Sequence, residues 1–403
     1  MNISFARMQD AVRAAGLDAW LLFDFRRTNP LAWKMLGLAD DAHCTRRWMI
    51  VIPANGPVVK IVHRMEQVPL AHVPAETLVY DTRTSWAEQV REATKGFTIV
   101  AMEYSPMGEL PVVSKVDAGT IDFLRSLGLE VVSSADILQE FTALLSPEQI
   151  AGNALTAAYL RTAVHDAFGF IRTQLMNDTP VTEYDVQQFI MDRFGSQDMI
   201  TDTPPIVAIG PNAASPHYAP TPQEYSAIGR DMVVLIDAWA RSSGPGSVYA
   251  DITWVGYTGE TVPSDVAERF AVLTTARDAT LEMIRGRFAA NETVCGYEVD
   301  RTCRTSIERA GYGAMYIHRT GHNITDDVHG PGANMDDFET HDTRRVLPGT
   351  SFSIEPGLYE NGVLGLRTEL DVVIDLDGTV LVPSEPIQQA ILPLLHPEGI
   401  PQA

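Results

Sequence analysis

Four acidic residues in the second half of the chain interrupt stretches that otherwise have the composition of buried β-strands. Asp237 lies inside VVLIDAWA and Asp251 begins DITWVGY. Glu355 interrupts SFSIEPGLY, and Glu369 interrupts LRTELDVVI. A carboxylate without a partner is costly to bury, so each of these acids needs a compensating group. The fold must therefore supply something that neutralises them.

Divalent metal ions satisfy this requirement. The four carboxylates cannot neutralise one another, because like charges held close together raise their pKa values strongly. His322, which follows a glycine in RTGHNIT, adds an imidazole. Four carboxylates and one imidazole suit two ions such as Mn²⁺, Co²⁺, Zn²⁺ or Fe²⁺, which can share a bridging hydroxide and polarise a carbonyl. Taken singly, each acid has an ordinary explanation as a strand-end cap or a solvent-facing side chain.

Length and charge narrow the possible classes of protein. At 403 residues the chain is long enough for two domains. It has 30 basic and 52 acidic residues, a net charge of −22, which repels phosphate backbones and excludes nucleic acid as a partner. Its three cysteines form no disulfide framework or CxxC metal motif. The sequence shows neither a signal peptide nor a membrane-spanning stretch, so we expect a cytoplasmic protein without a membrane partner.

Residues 1–145 are predicted to form a smaller α/β domain. Strands are indicated at 20–25, 97–104 and 129–134, with a helix over 114–127. The Asn55-Gly56 pair lies between two apolar runs, which is typical of a β-hairpin.

Residues 146–403 are predicted to form a second, α+β domain. The segment Ser146-Pro147-Glu148-Gln149 has the pattern of a capping box with proline in the first turn, and begins a helix that extends to about residue 176. A second helix follows Thr182. Further helices are predicted over 264–285 and 297–310, and strands over 206–210, 232–240, 251–259, 350–359, 366–375 and 379–383. Hairpin-like strands with segregated helices favour the α+β class.

The five candidate ligands follow the order Asp, Asp, His, Glu, Glu, which resembles that of the metallopeptidase family of prolidase, aminopeptidase P and methionine aminopeptidase, with the pita-bread fold. Four local motifs are also similar to those of the family. The motifs are GPNAASPHY (210–218), HRTGHNITDDVHG (318–330), SIEPGLY (353–359) and LRTELDVVI (366–374). The N-terminal region is similar to the amino-terminal domain of creatinase and prolidase. The resemblance therefore covers nearly the whole chain and implies a pita-bread catalytic domain preceded by a creatinase-type domain.

The resemblance implies a role for each matching residue. The dinuclear-metal ligands would be Asp237, Asp251, His322, Glu355 and Glu369, with Asp251 and Glu369 bridging both ions. The catalytic residues would be His217, His329, Glu355 and Arg367. In these roles the two histidines contact the scissile carbonyl and the tetrahedral intermediate, Glu355 takes a proton from the metal-bound water, and Arg367 orients a metal-binding glutamate.

Substrate contacts are expected from the same histidines and from two further side chains. His318 matches a histidine that precedes the Gly-His motif in prolidase-like members, although a hydrogen-bonded core histidine explains it equally well. Trp254, together with Trp239 and Tyr218, is a candidate wall for a proline ring, with ordinary core packing as the alternative.

The chain also departs from the family pattern next to several ligands. The family's Gly-His-Gly-Ile-Gly is Gly321-His322-Asn323-Ile324-Thr325 here, and its His-Glu-x-Pro is His329-Gly330-Pro331-Gly332. Its Asp-x-Gly at the first metal aspartate is Asp237-Ala238-Trp239. No ligand is lost, so these changes bear on the substrate and leave the metal centre intact.

The resemblance therefore implies a prolidase-like hydrolase that cleaves the Xaa-Pro bond of dipeptides or short peptides by attack of a metal-bridging hydroxide. It implies two divalent ions, with manganese favoured over cobalt, zinc or iron, and a homodimer. The alternatives are an Xaa-Pro aminopeptidase and a non-peptidase member of the fold, such as an ectoine-type hydrolase or a dimethylsulfoniopropionate-type lyase. A binding module that has lost its metal is disfavoured by the intact ligand set.

Overall fold

The chain divides into two compact units, Met1–Thr142 and Ala143–Ala403, in a computed structural model that describes residues 3–400. This division lies three residues before the boundary expected after residue 145.

The first unit is built around one mixed sheet. Its strands are β1 (Ala19–Asp24), β2 (Trp48–Pro53), β3 (Val59–His63), β4 (Glu76–Tyr80), β5 (Ile99–Met102) and β6 (Glu130–Ser133). They are arranged in the order β4-β3-β2-β1-β5-β6. Strand β2 is antiparallel to both neighbours and the other pairs are parallel. The hairpin predicted at Asn55-Gly56 is present between β2 and β3.

Helices flank this sheet, and side-chain oxygens cap several of them. The helices are α1 (Phe5–Ala14), α2 (Pro30–Leu36), α3 (Arg83–Ala93), α4 (Ala118–Ser126) and α5 (Ala135–Thr142). Asn29 caps α2, Thr82 caps α3 and Asp117 caps α4, each by accepting a hydrogen bond from a backbone N–H that the helix leaves unpaired. Apolar side chains on both faces of the sheet form the core of this unit.

The second unit combines long helices with short antiparallel sheets. Its helices are α6 (Pro147–Met176), α7 (Glu183–Ser196), α8 (Gly210–Ala213), α9 (Ser264–Ala289) and α10 (Gly296–Arg309). Its strands are β7 (Met199–Ile200), β8 (Ile206–Ile209), β9 (Val233–Ser242), β10 (Ala250–Tyr257), β11 (Asn323–Ile324), β12 (Ser351–Ile354), β13 (Gly357–Glu360), β14 (Leu364–Arg367), β15 (Leu370–Ile374), β16 (Val380–Leu381) and β17 (Leu392–Pro393).

These strands form three antiparallel groups. One sheet has the order β17-β10-β9-β7 with β8 also paired to β9, a second has the order β11-β12-β15-β16, and β13 pairs with β14. Only the contact of β17 with β10 is parallel. The capping box predicted at Ser146 is present, and α6 begins at Pro147 as expected.

Two segments predicted as single strands are each divided. The segment 350–359 contains β12 and β13, separated by Glu355 and Pro356, and the segment 366–375 contains the end of β14 and all of β15. Proline has no N–H to donate to a sheet, so it favours the end of a strand. The division lets β12 pair with β15 while β13 pairs with β14.

No helix within residues 3–400 is long and apolar enough to cross a membrane.

Candidate metal centre

The hairpin of β9 and β10 separates acidic from apolar side chains by simple alternation. Successive side chains of a strand point to opposite faces of the sheet. Asp237 pairs with Thr253 across the hairpin, and Asp251 pairs with Trp239, so these four positions share one face. The opposite face carries Ile236, Ile252 and Trp254, which pack in an apolar cluster with α6.

Three of the predicted ligands converge on one point. Asp251, His322 and Glu369 are all buried, and each offers one ligand atom within 4.8 Å of the other two. The Nε2 atom of His322 lies 3.7 Å from Oδ2 of Asp251. These residues come from β10, from the position directly before β11 and from the link between β14 and β15, and together they have the composition of a divalent-metal site.

The other two predicted ligands lie beside this group. Oε1 of Glu355 is 3.4 Å from Nε2 of His322 and accepts a hydrogen bond of 3.2 Å from the Ser353 hydroxyl. Asp237 is buried and forms an ion pair with Arg367. The structure thus brings all five candidate ligands into one buried region.

Arg367 and Thr253 connect the acids to one another. The Nε atom of Arg367 donates to the Thr253 hydroxyl over 2.9 Å, and that hydroxyl donates to Oε2 of Glu369 over 2.6 Å. Another nitrogen of Arg367 donates to Asp237. Arg367 therefore contacts Glu369 through Thr253, which fixes the orientation of both carboxylates.

The electrostatics of this region disfavour uncompensated negative charge. Burial, followed by the neighbouring carboxylates, raises the pKa values of Asp251 and Glu369 well above their usual range. Burial also raises the pKa of Asp237, although Arg367 opposes the shift. Burial lowers the pKa of His322 to about 3, so its imidazole is neutral and keeps a lone pair for a metal ion.

Glu355 differs from the other acids in the direction of its shift. Burial, the largest influence, acts to raise its pKa, but the nearby His322, His318 and Arg367 together outweigh it and leave the pKa below the usual value. Glu355 is thus the acid of the group that most readily carries a negative charge.

Orphaned oxygen atoms test whether the residues fit a metal ion. Oδ1 of Asp237 and Oδ1 of Asp251 are buried and have no hydrogen-bond partner among the described residues. A buried acceptor without a donor is costly, and a carboxylate oxygen is a good ligand for Mn²⁺ and similar ions. The donor set and the two orphaned atoms therefore fit divalent metal.

A cavity of about 370 Å³ opens onto these residues. The five candidate ligands, Arg367 and the histidines His217, His318 and His329 all contribute to its lining. The ring of His329 packs edge-on against that of His322, with 4.2 Å between the ring centroids. The structure thus brings all the predicted histidines to the cavity.

Hydrogen bonds define the tautomer of His318. Its Nδ1 lies 2.7 Å from the carbonyl oxygen of Arg319, which can only accept, so Nδ1 carries the proton. Its Nε2 is left to accept a hydrogen bond from the Tyr359 hydroxyl over 2.9 Å. Burial lowers the pKa of His318, in agreement with a neutral ring.

Trp254 requires a correction. It is 2% exposed, packs in the apolar cluster on the α6 face of the hairpin, and does not line the cavity. Tyr218 is also absent from the lining, and its hydroxyl donates to Glu183 over 2.6 Å. Trp239 does line the cavity, and its Nε1 donates to Asp202 over 2.8 Å.

Several residues of the site were missed in the sequence. Thr253, two residues after Asp251, and Tyr359, the last residue of the SIEPGLY motif, contact Arg367, but their sequence context offered no reason to assign a role to either. Arg319 and Glu339 line the cavity and add one charge of each sign. Arg319 lies between two predicted histidine sites in HRTGH, which is the one local signal that pointed to it.

Together the fold and the site define a metal-dependent hydrolase of the pita-bread type. Residues 149–375, more than half of the chain, match metallopeptidase family M24. The chain belongs to this family. The predicted family, fold and enzyme class are therefore confirmed.

Curated relatives in this family include dipeptidases. The chain is 26% identical over 351 residues to the probable dipeptidase PepE of Mycobacterium tuberculosis, covering 86% of this chain and 85% of the relative. It is 30% identical over 234 residues to the Xaa-Pro dipeptidase of Lactobacillus helveticus, covering 58% of each protein.

Solved structures share the fold over nearly the whole chain. Dipeptidase PepE from Mycobacterium ulcerans superimposes with a TM-score of 0.70 at 22% identity and covers 96% of both chains. Prolidase from Thermococcus sibiricus gives a TM-score of 0.64 at 20% identity, with coverage of 97% of this chain and 99% of that one. The pita-bread domain and the smaller domain before it are thus shared with these enzymes.

Proposed function

We propose that this chain is a dinuclear-metal dipeptidase of the prolidase type, which cleaves the Xaa-Pro bond of short peptides. The observation that carries the proposal is the convergence of Asp251, His322 and Glu369 within 4.8 Å, with Asp237 and Glu355 beside them, at a cavity lined by further histidines. A volume of about 370 Å³ lies at the small end of the range for ligand pockets, which suits a short substrate.

In this proposal four acids and His322 bind the ions, and two further residues orient two of these acids. Asp237, Asp251, His322, Glu355 and Glu369 hold two divalent ions, with manganese favoured. When bound, such ions polarise the scissile carbonyl and make a water molecule a stronger nucleophile. Arg367 and Thr253 keep Asp237 and Glu369 in a fixed orientation through their hydrogen bonds.

The remaining residues act on the substrate and on protons. Glu355 accepts the proton of the attacking water, since its carboxylate lines the cavity and lies beside the candidate ligand His322, with 3.4 Å between Oε1 and Nε2. His217 and His329 donate hydrogen bonds to the carbonyl oxygen as it acquires charge, which is the usual way in which a site stabilises a tetrahedral intermediate. His318 contacts the substrate from the same cavity.

The names of the relatives support a dipeptide substrate more than a longer one. The Mycobacterium tuberculosis relative is named a probable dipeptidase, and the Lactobacillus helveticus relative an Xaa-Pro dipeptidase. An aminopeptidase and a non-peptidase enzyme of the same fold are the alternatives.

A paired peptide assay tests the proposal. We expect the Mn²⁺-loaded protein to release proline from Ala-Pro, to act poorly on Ala-Ala and to leave Ala-Pro-Ala largely intact. His322→Ala should abolish the activity. The matched control is His341→Ala, because His341 pairs with Asp337 and does not line the cavity.

Each other outcome has a definite meaning. Release of alanine from Ala-Pro-Ala at a comparable rate would favour the aminopeptidase, and equal rates on Ala-Ala would remove the proline specificity. If none of the peptides is cleaved, the peptidase proposal is wrong, and a screen of small amides and betaines tests the non-peptidase alternative.

Two further proposals follow from the family. We propose a homodimer, which sedimentation equilibrium tests directly by the mass of the particle in solution. We also propose that Met1–Thr142 is a separate creatinase-type domain that precedes the catalytic domain. Limited proteolysis tests this division. If the two domains are separate, we expect an early cleavage near residues 142–146.

A further inference from the structure

Asn323 directly follows the metal-site residue His322, at a position where the family pattern has glycine. It is 1% exposed. Its backbone carbonyl accepts a hydrogen bond of 2.7 Å from the N–H of Gly330, and its side-chain oxygen accepts one of 2.8 Å from the N–H of Gly332. Its side-chain nitrogen donates to the carbonyl of Ser351 over 2.9 Å. Asn323 thus joins the loop after His329 to strand β12.

This loop determines where the ring of His329 lies. Gly330, the next residue in the chain, donates to the backbone carbonyl of Asn323, and the side-chain oxygen of Asn323 adds a second bond to the N–H of Gly332, three residues after His329. The His329 ring packs against His322 at an interplanar angle of 73°, with 4.2 Å between centroids. The side chain of Asn323 therefore fixes the loop that follows His329 while the His329 ring packs against His322.

The same side chain limits which residues the loop can contain. A Cβ atom added to Gly330 would collide with Oδ1 of Asn323, and one added to Gly332 would lie 2.6 Å from its Cγ. A Cβ atom added to Gly332 would also lie 2.7 Å from the Cβ atom of Ala143, which is too close for two carbon atoms. Thus the asparagine at 323 and the glycine at 330 form one packing unit, and both differ from the family pattern of glycine and glutamate.

We propose that Asn323 is a positioning residue that sets the orientation of His329 toward the substrate, and that its side chain is the reason for glycine at position 330. The catalytic part of this inference rests on the proposed function, because it acts through His329. The packing part does not. Arg344 donates a hydrogen bond of 2.7 Å to the carbonyl oxygen of Pro331 in the same loop. The loop therefore keeps a second attachment when the side chain of Asn323 is shortened.

A stability cycle tests the packing part without any substrate. Gly330→Ala should lower the melting temperature by roughly 5 °C in the wild-type protein, because overpacking a buried contact is destabilising. In the Asn323→Gly background the same substitution should cost less than half as much, since only the tight contacts to Thr325, at 3.0 and 3.1 Å, remain. Equal losses in the two backgrounds would overturn the inference. Asn323→Ala replaces Asn323→Gly in the cycle if the glycine variant does not fold.

An activity cycle tests the positioning part on Ala-Pro. Asn323→Gly should lower kcat about 10-fold with little change in KM, because small misplacement of a catalytic group is costly. In a His329→Ala background the further loss should be less than about 2-fold, since no imidazole remains to be positioned. A merely structural role predicts the same 10-fold loss in both backgrounds, and that result contradicts the inference.

The two cycles separate the failure of the inference from failure of the proposed function. If the function is wrong, no variant releases proline, but the stability cycle still shows whether Asn323 and Gly330 are coupled. If only the inference is wrong, wild-type turnover is normal and one of the two cycles shows no coupling.

Discussion

The hydroxyl of Thr253 lies 2.6 Å from Oε2 of Glu369 and donates a hydrogen bond to it. The same hydroxyl accepts a hydrogen bond of 2.9 Å from Arg367, whose guanidinium also contacts Asp237. One small side chain therefore connects Glu369, in the link between β14 and β15, through Arg367 to Asp237 on β9. Its loss should be felt at the metal centre although it is not itself a predicted ligand.

Replacing Thr253 by valine keeps the shape of the side chain and removes the hydroxyl. We expect the affinity for Mn²⁺ to fall about 10- to 100-fold, because partners that orient a metal ligand contribute on this scale. Calorimetric titration of the metal-free protein with Mn²⁺ measures the change. Thr253→Ser, which retains the hydroxyl, is the matched control, and valine and serine variants of equal affinity would contradict this role.

Metal removal should make stability depend on pH. The pKa values of Asp251 and Glu369 are raised by burial and by neighbouring carboxylates, so the folded protein binds more protons than the unfolded chain. Their contribution is fully present below the unfolded-state pKa of about 4 and is lost as the pH rises through the raised values. In EDTA, the contribution of these two carboxyl groups to the free energy of unfolding should therefore fall as the pH rises above about 4.

Bound metal should remove this dependence. Ions replace the protons on the carboxylates, so saturating Mn²⁺ should both raise the free energy of unfolding and flatten its pH profile. The double variant Asp251→Asn, Glu369→Gln should be flatter than the wild type in EDTA, since its amides do not titrate. Urea unfolding at a series of pH values checks both statements. A metal-free stability of the wild type that does not fall relative to that of the double variant as the pH rises would refute them.

Trp254 and Trp239 should respond to mutation in opposite ways. Trp254 is 2% exposed in the apolar core, so Trp254→Ala should cost about 3–5 kcal/mol of stability and leave the KM of the folded enzyme unchanged. Trp239 lines the cavity, so Trp239→Ala should raise KM with a smaller loss of stability. Urea unfolding and dipeptide kinetics on both variants make the comparison. A raised KM for Trp254→Ala would restore it as a substrate contact.

Glu183 is a fully buried acid that holds the segment carrying His217. Its carboxylate accepts hydrogen bonds from the N–H groups of Ile209 and Ser226, at 2.8 and 2.7 Å, and from the Tyr218 hydroxyl at 2.6 Å. The side-chain nitrogen of Asn212 lies 3.0 and 3.1 Å from its two oxygens. All four partners approach as donors, so an acceptor-only side chain suits this position.

Glu183→Gln should therefore destabilise the segment. The side-chain nitrogen of the new glutamine faces hydrogen-bond donors and cannot accept from them. This mismatch should lower the free energy of unfolding by about 1–3 kcal/mol. Because Tyr218 adjoins His217, we also expect kcat on Ala-Pro to fall. Thermal unfolding and kinetics test this. The control is Glu298→Gln, which also lies in the first turn of a helix and keeps an oxygen for the N–H of Cys295. Equal effects of the two substitutions would contradict the prediction.

The five candidate ligands were accessible from the sequence because their placement conflicts with burial. An acid inside an apolar strand needs a partner, and the conflict is visible without knowing the fold. The same local reasoning could have excluded Trp254, which was nevertheless predicted to contact substrate. It lies three positions after Asp251, and side chains an odd number of residues apart point to opposite faces of a strand.

Other relationships had no local signal. Arg367 and Thr253 are 114 residues apart, and Glu369 lies 116 residues from Thr253. Their contacts depend on how β10 meets the link between β14 and β15. The division of 350–359 into β12 and β13 likewise depends on two different pairing partners, although Pro356 marks the place.

The sequence by itself determined the chemistry of this protein, since the ligand types, the strand period and the capping box before α6 depend on neighbouring residues. Only the tertiary structure decided which groups meet. It placed Trp239 at the cavity and Trp254 in the core, linked Glu369 to Arg367 through Thr253, and fastened the loop after His329 to Asn323. The physical reason is range, because periodicity and capping act over a few residues, whereas these contacts form only when distant strands and loops pack together.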